Sequence, residues 1–290
     1  MELTPITKQN KSFNLKKLVA NILGKLLIIM IVIIAVYPVF WLLMSSLKTP
    51  EEFNSAPMYA LPQGFHFDNY VEAWNTGNMG TYFKNSIVVT FPALFLIIII
   101  GAGAAFALEK MRWKMKKGTL LLFISGIMVP VPIVLLPIFT MYYHTGLLNN
   151  LFGLILVYIA FGLPLTIFLF TSYFKAVPNE LIESAIMDGA NIYRIFFSIA
   201  LPMILNAVVT VALVQFFFVW NDLIFAMTFI SDSDLRTIQT GLMSFAGQYG
   251  QRDWGPTFAS ISMAILPTLI LYLFLNKTVM KGMTSGAVKG

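Results

Sequence analysis

Six stretches of this chain run apolar for the length a membrane helix needs, and nearly every charge is pushed into the gaps between them. Crossing a hydrocarbon core of about 30 Å takes about 20 mainly apolar residues, each rising about 1.5 Å. The segments 26–47, 86–108, 119–143, 151–174, 203–229 and 257–276 qualify. In lipid, backbone polar groups must be satisfied within the segment, so runs of this length predict helices. The pattern therefore predicts an all-α integral membrane fold with six transmembrane helices. An arm at 1–25 precedes the first transmembrane helix at 26–47, and an extracytoplasmic loop fills 48–85. A membrane core over 86–276 carries a charged interruption at 175–202, and a tail follows at 277–290.

Local features modify this outline. Pro130, Pro132 and Pro137 remove backbone donors from the third span and predict a kink or local unwinding. A bent packing helix and a pathway-lining one are equally open readings of it. Gly101, Gly103, Ala104 and Ala105 form a small-residue face suited to close helix approach. Gly146, Asn149 and Asn150 mark a tight turn before the fourth span.

Charge sets the orientation. Fifteen of the 19 Lys and Arg fall in the N-terminal arm, the 109–118 and 175–202 loops and the tail; Lys48, Lys84, Arg236 and Arg252 are the remainder. The positive-inside rule then puts both termini in the cytoplasm, as in a multi-pass protein of a prokaryotic cell membrane. Only 11% of residues are charged and 58% are hydrophobic, against about 25% charged in soluble domains. The net charge of +6 does not imply nucleic acid, because the basic residues sit at span ends and not in an aromatic-interleaved patch. The first run is too long for a signal-peptide core and is read as a retained anchor in membrane lipid.

Catalytic chemistry is not visible. Cysteine is absent, which excludes disulfides and thiolate metal sites, and His66 and His144 alone do not suggest a metal centre. No GxxxxGK[ST] loop, nucleophile elbow or HExxH occurs, so the chain is read as non-catalytic and as binding no ATP or other cofactor itself.

The interruption between the fourth and fifth spans is more than a connector. Pro178 and Asn179 offer a helix start, and Glu180 and Glu183 complement the dipole of its first turn. Leu181, Ile182, Ala185 and Ile186 form an apolar stripe at helical spacing, and Gly189 supplies the stop. A second short helix carries Tyr193, Phe196 and Phe197 before Pro202 leads into the fifth span. Such a segment lies in the membrane interface or docks a protein partner.

Glu183-Ser184-Ala185, Asp188-Gly189-Ala190 and Ile199-x-Leu201-Pro202 resemble the EAA signature of ATP-binding-cassette importer permeases, in the form found in carbohydrate-transporting, MalG-like members. Ser184 departs from the usual alanine. Phe65–Trp74, Asn85-Ser86, the GLLNN turn, Trp220-Asn221-Asp222 and the terminal GMTSGAVKG resemble the same family, over about residues 20–290. The resemblance implies a type I importer permease whose cytoplasmic EAA loop is a coupling helix. Glu183, Ser184, Ala185, Asp188, Gly189, Ala190, Leu201 and Pro202 are the implied ATPase-coupling residues. Gly282, Ser285, Gly286 and Lys289 belong to a tail that inserts between ATPase subunits. The implied partners are a second homologous permease, two copies of an ABC ATPase that bind ATP and Mg, and an extracytoplasmic solute-binding protein.

Asp222 is the one acidic residue well inside a predicted span, where a charge costs about 2.5–3.5 kcal/mol and must face protein or water. Trp220, Asn221 and Asp222 form a candidate substrate path, with an aromatic face and hydrogen-bonding groups for sugar hydroxyls; an interhelical hydrogen-bond cluster is the competing reading. A secondary, ion-coupled transporter is the alternative function. It calls for inverted repeats and buried coupling groups, and no repeat is visible.

Overall fold

The structure is a computed structural model that describes residues 15–245 and 253–287, with side chains described for 21–245 and 253–275. All regular structure among these residues is helical. In chain order the elements are α1 (Leu15–Ser45), α2 (Pro50–Ser55), α3 (Asp68–Asn75), α4 (Met79–Lys110), α5 (Lys116–Ile127), α6 (Val131–Thr145) and α7 (Leu151–Lys175). Then come α8 (Asn179–Met187), α9 (Ile192–Met203), α10 (Leu205–Trp220), α11 (Ile224–Phe229), α12 (Ile238–Leu242) and α13 (Trp254–Ala287).

Among the described residues, four helices are long and apolar enough to cross a membrane: 21–45, α4, α7 and 254–275. Two bent pairs, α5 with α6 and α9 with α10, are together long and apolar enough as well, and the spans number up to six if each pair is one span. The third span turns by 99° between Ile127 and Val131. Pro130 stands just outside α6 and Pro132 in its first turn, where a missing N–H costs nothing, while Val129, the residue before Pro130, is steered away from helical backbone. The break that the prolines predict is thus a sharp elbow. The fifth span departs from its predicted continuity over 203–229, bending by 80° at Ile204 and breaking again at Asn221–Leu223.

α4 and α7 form the most extensive helix pair. They run parallel, with Ile97, Gly101 and Phe106 meeting Gly162, Thr166 and Phe174 in turn. At Gly101 an added Cβ would run into the Thr166 side chain, and at Gly162 it would stand 2.7 Å from Ile97 Cδ1. That backbone proximity is what the small-residue face of α4 supplies. α10 lies across both helices and against α13.

Three apolar clusters fill the interior. One surrounds Phe106, Phe174 and Phe196 at the end of α4 and α7 nearest α8; a second joins Val89, Tyr142, Leu154 and Phe229 at the opposite end. The third packs Tyr82, Phe216, Trp220 and Ile238 against α13. By contrast α1 exposes nearly every large side chain from Ile22 to Phe40, and only its last turns enter the fold.

Candidate functional site

The segment that follows α7 folds onto the end of the α4–α7 pair. α8 starts after Pro178 with Glu180 in its first turn; Glu183 lies a turn further on. Ile182 and Ala185 are buried in the cluster around Phe106 and Phe174, whereas Leu181, Ile186 and Met187 are exposed, Met187 to 86%. The helix stops in a Schellman motif. Gly189 N–H donates to Ile186 O and Ala190 N–H to Ala185 O, each at 3.0 Å, with Gly189 at φ +76°. A side chain at that φ is strained, and Gly avoids the cost. Asp188 is the exposed residue at the helix end, and Ala190 packs on the same apolar cluster as Ala185. Ser184 is exposed and donates to Leu181 O at 3.1 Å, so the departure from alanine is satisfied locally.

α9 begins at a second cap, where Asn191 Oδ1 accepts from Arg194 N–H at 2.8 Å. Its stretch Phe196–Ala200 is a π-turn, and Leu201 N–H reaches back to Phe196 O. Pro202 follows in the same helix, where it can donate no bond and crowds the carbonyl four residues back; a widened turn relieves that conflict. Phe196 closes a ring cluster, with centroids 5.4 Å from Phe106 and 6.5 Å from Phe174. Lys110, the last residue of α4, donates from Nζ to Val177 O at 2.6 Å and to Asn179 Oδ1 at 2.8 Å. The start of α8 is therefore stapled to α4. Glu183 sits with Arg112 and Lys116 around a groove of about 680 Å³ beside it.

The second site lies inside the elbow between α5 and α6. A cavity of about 320 Å³ opens there against α7 and α10. Asp222 lines it, half-buried, with its carboxylate accepting from Tyr158 Oη at 2.8 Å and Ala226 N–H at 3.0 Å. Asp222 does not sit inside a helix as the sequence pattern suggested. It stands at the break before α11 and caps that helix, because an Asp side chain competes for backbone donors that a continuous helix would use.

Its two sequence neighbours do not join it at the cavity. Trp220 is 2% exposed, stacks on Phe216 and donates to Ala264 O at 3.1 Å, which makes it a tie between α10 and α13. Asn221 is exposed, bonding Phe217 O in its own helix and Gln239 Nε2. Two residues that the pattern did not single out, Tyr158 and Gln215, do line the cavity. The available signal was an amide in the middle of the apolar run VALVQFFFVW. The tail positions Gly282, Ser285, Gly286 and Lys289 lie outside the residues whose side chains are described.

A family profile described as the binding-protein-dependent transport system inner membrane component matches residues 97–279. The chain belongs to that family. This permease is similar to the probable ABC transporter permease protein YurM of Bacillus subtilis (strain 168), 37% identical over 88% of this chain and 84% of that protein. It is also similar to the diacetylchitobiose uptake system permease protein NgcG of Streptomyces coelicolor, 33% identical over 91% and 87%. The melibiose/raffinose/stachyose import permease protein MelC of Bacillus subtilis (strain 168) is 32% identical over 87% and 91%. Among solved structures, a bacterial ABC transporter involved in the import of the acidic polysaccharide alginate superposes with a TM-score of 0.80. It covers 94% of this chain and 99% of that one at 21% identity. That likeness establishes that the two chains share one all-helical fold. The chain is the membrane subunit of a binding-protein-dependent transport system.

Proposed function

We propose that this permease imports a carbohydrate as half of a translocation path completed by a second homologous permease. Two copies of an ABC ATPase, which carry ATP and Mg, drive it through α8. An extracytoplasmic solute-binding protein delivers the sugar, and both termini face the cytoplasm. Glu183 and the apolar ridge of α8 meet the ATPase, Gly189 sets the angle of that ridge, and the tail around Gly282, Ser285, Gly286 and Lys289 reaches between the ATPases.

The observation that carries this reading is the split character of α8. One face is locked into the aromatic cluster, and the other presents Leu181, Ile186 and Met187 with Tyr193 of α9 beside them, all exposed. An apolar ridge on a fixed element suits a groove in another protein. When the ATPases close on ATP, a push on that ridge moves α8 and α9 together with α4 and α7, because Phe106, Phe174 and Phe196 pack as one body. The sugar class follows the relatives named for diacetylchitobiose and for melibiose, raffinose and stachyose. The excess of basic residues in the loops beside α8 supports its cytoplasmic side.

The chain contains no cysteine, so Met187→Cys gives a single reporter thiol. In the assembled complex it is expected to cross-link to an ATPase carrying a cysteine in its groove, and proteoliposome uptake is expected to require ATP. Uptake driven by an ion gradient without ATP overturns the proposal.

A further inference from the structure

The loop after α1 turns back toward the membrane. Trp41 lies about one helical turn inside the end of α1, and helical side chains tilt toward the N-terminus, so its indole reaches deeper than its own Cα. Its Nε1 donates to Met58 O at 2.8 Å, and Lys48 Nζ donates to the same oxygen at 3.2 Å. Both lone pairs of that carbonyl are filled, which pins the tip of the loop beside the last turns of α1. Lys48 is 2% exposed, with Nζ 5.6 Å from the Phe53 ring centre, and Phe53 stacks on Phe258 of α13. Glu52 clamps the two sides of the loop, accepting from Thr49 N–H at 3.0 Å and from Gln63 N–H at 2.7 Å. The tip itself is closed by a bond from Ala60 N–H to Pro57 O at 2.9 Å.

What this scaffold holds out is apolar. Met58 and Tyr59 occupy the middle of the turn, where a water-facing turn carries Gly, Asn, Asp or Ser, and each is 75% exposed. Leu61, Phe65 and Phe67 follow, also exposed. From Phe53 to Phe67 the chain has no Asp, Glu, Lys or Arg, so it offers a protein partner no charge to pair with. The headgroup boundary instead favours apolar side chains and aromatics with one wet end. Tyr59 is such a group, its hydroxyl without a partner among the described residues. The patch continues the exposed flank of α1, where Tyr37 and Phe40 lie within about a turn of Trp41. Irregular backbone is unsatisfied in hydrocarbon but not in the hydrated headgroup layer, which sets the depth the turn can reach.

We propose that the turn at 57–61 is a monotopic lipid anchor. Met58, Tyr59 and Leu61 insert into the headgroup boundary of the leaflet where α1 ends, the extracytoplasmic one in the orientation proposed above. Lipid thereby holds the corner where Trp41 and Phe53 pack on Phe258 of α13.

The test uses the complete transporter in proteoliposomes. The chain has no cysteine, so Tyr59→Cys, Leu61→Cys and Glu51→Cys each place a single nitroxide on this subunit, with the partner subunits freed of cysteine. Neither Tyr59 nor Leu61 makes a side-chain hydrogen bond among the described residues, so the clamps on the loop stay intact in both variants. Collision with oxygen, which concentrates in lipid, is compared with collision with a water-soluble nickel chelate. Nitroxides at 59 and 61 are expected to favour oxygen and to read about 5–10 Å into the headgroup boundary. Glu51, exposed on α2, is the water-side reference. Collision that favours nickel at 59 or 61 overturns the anchor, because the turn then stands in water. Low collision with both reagents at either site also overturns it, because a protein partner then covers the patch. Either result leaves the importer reading standing.

Discussion

Replacing Gly189 by alanine isolates one physical quantity, the cost of a left-handed backbone at the end of α8. The residue sits at φ +76°, and a Cβ built there meets nothing within 4 Å. No clash contributes, so the whole effect comes from backbone conformation. An L-residue in that region costs about 1–2 kcal/mol; asparagine, which tolerates it through local hydrogen bonding, costs less, and a β-branched residue costs more. The expected order of destabilisation is therefore Gly, then Asn, then Ala, then Val. The quantity at risk is the Schellman pair from Gly189 N–H to Ile186 O and from Ala190 N–H to Ala185 O. Amide hydrogen exchange in detergent reads those bonds directly. About 1–2 kcal/mol corresponds to an opening population about 5- to 30-fold larger, so the Ala190 amide of Gly189→Ala is expected to exchange faster by that factor. The apolar anchor, Ile182 and Ala185, is untouched, so amides in α4 and α7 keep their wild-type protection. Exchange at Ala190 that is the same in the Ala, Asn and wild-type chains would refute the argument that a positive φ shapes this turn.

Two further outcomes follow from particular bonds. Lys110→Met removes the staple from α4 to Val177 O and Asn179 Oδ1; because the ammonium is only half-buried, the expected loss is about 1 kcal/mol, read as faster exchange at the start of α8 and partly restored in Lys110→Arg. Tyr158→Phe deletes the hydroxyl that donates to Asp222 at 2.8 Å in a buried setting, with an expected loss of about 1–3 kcal/mol in the unfolding midpoint in detergent; a double-mutant cycle with Asp222→Asn that is strictly additive would show that the two groups do not interact.

Long apolar runs fix where helices lie, because period and length are properties of the sequence alone. What the runs conceal is where a helix stops being straight. At Pro130 and Pro132 the break was legible, since a missing N–H is written in the residue type; the 99° angle was not, since it depends on how α5 packs on α7 and α6 on α11. At Asp222 the residue was legible as unusual but its role was not, because a carboxylate in an apolar run reads equally as a ligand and as a cap. Trp220 shows the reverse: an amphipathic ring is an attractive sugar platform in sequence, yet it stacks on Phe216, meets Phe83 edge-to-face and spends its N–H on Ala264 O, the interhelical hydrogen bond of the competing reading.

The polar residues of the shorter resemblances turn out to be stitches. Asn85 Nδ2 bonds Asp234 O and Arg236 O, and Asn149 Oδ1 accepts from Ser231 and Asp232 N–H groups. Asn69 Nδ2 bonds Ser46 O and Lys48 O. Each satisfies backbone groups in a loop distant in sequence, a pairing that no local pattern reveals.

The two sites are joined by one helix, and its geometry constrains how they communicate. Ile204, where α9 turns into α10, is buried in the same cluster as Phe106 and Phe174. Gln215 lies eleven positions further along, about 16 Å of α-helical rise. A helix of that length transmits a tilt at its start with little internal bending, because bending must strain its ladder of hydrogen bonds. The α4–α7 wall, by contrast, is held by the close approach of Gly101 to Thr166 and resists sliding. A displacement of α10 relative to that wall must act first on the bonds from Gln215 to Gly162 and Thr166, the only side-chain hydrogen bonds between α7 and α10 among the described residues. The same amide that fixes α10 to α7 lines the elbow cavity, so under the proposed coupling a displacement delivered at α8 reaches that cavity through Gln215.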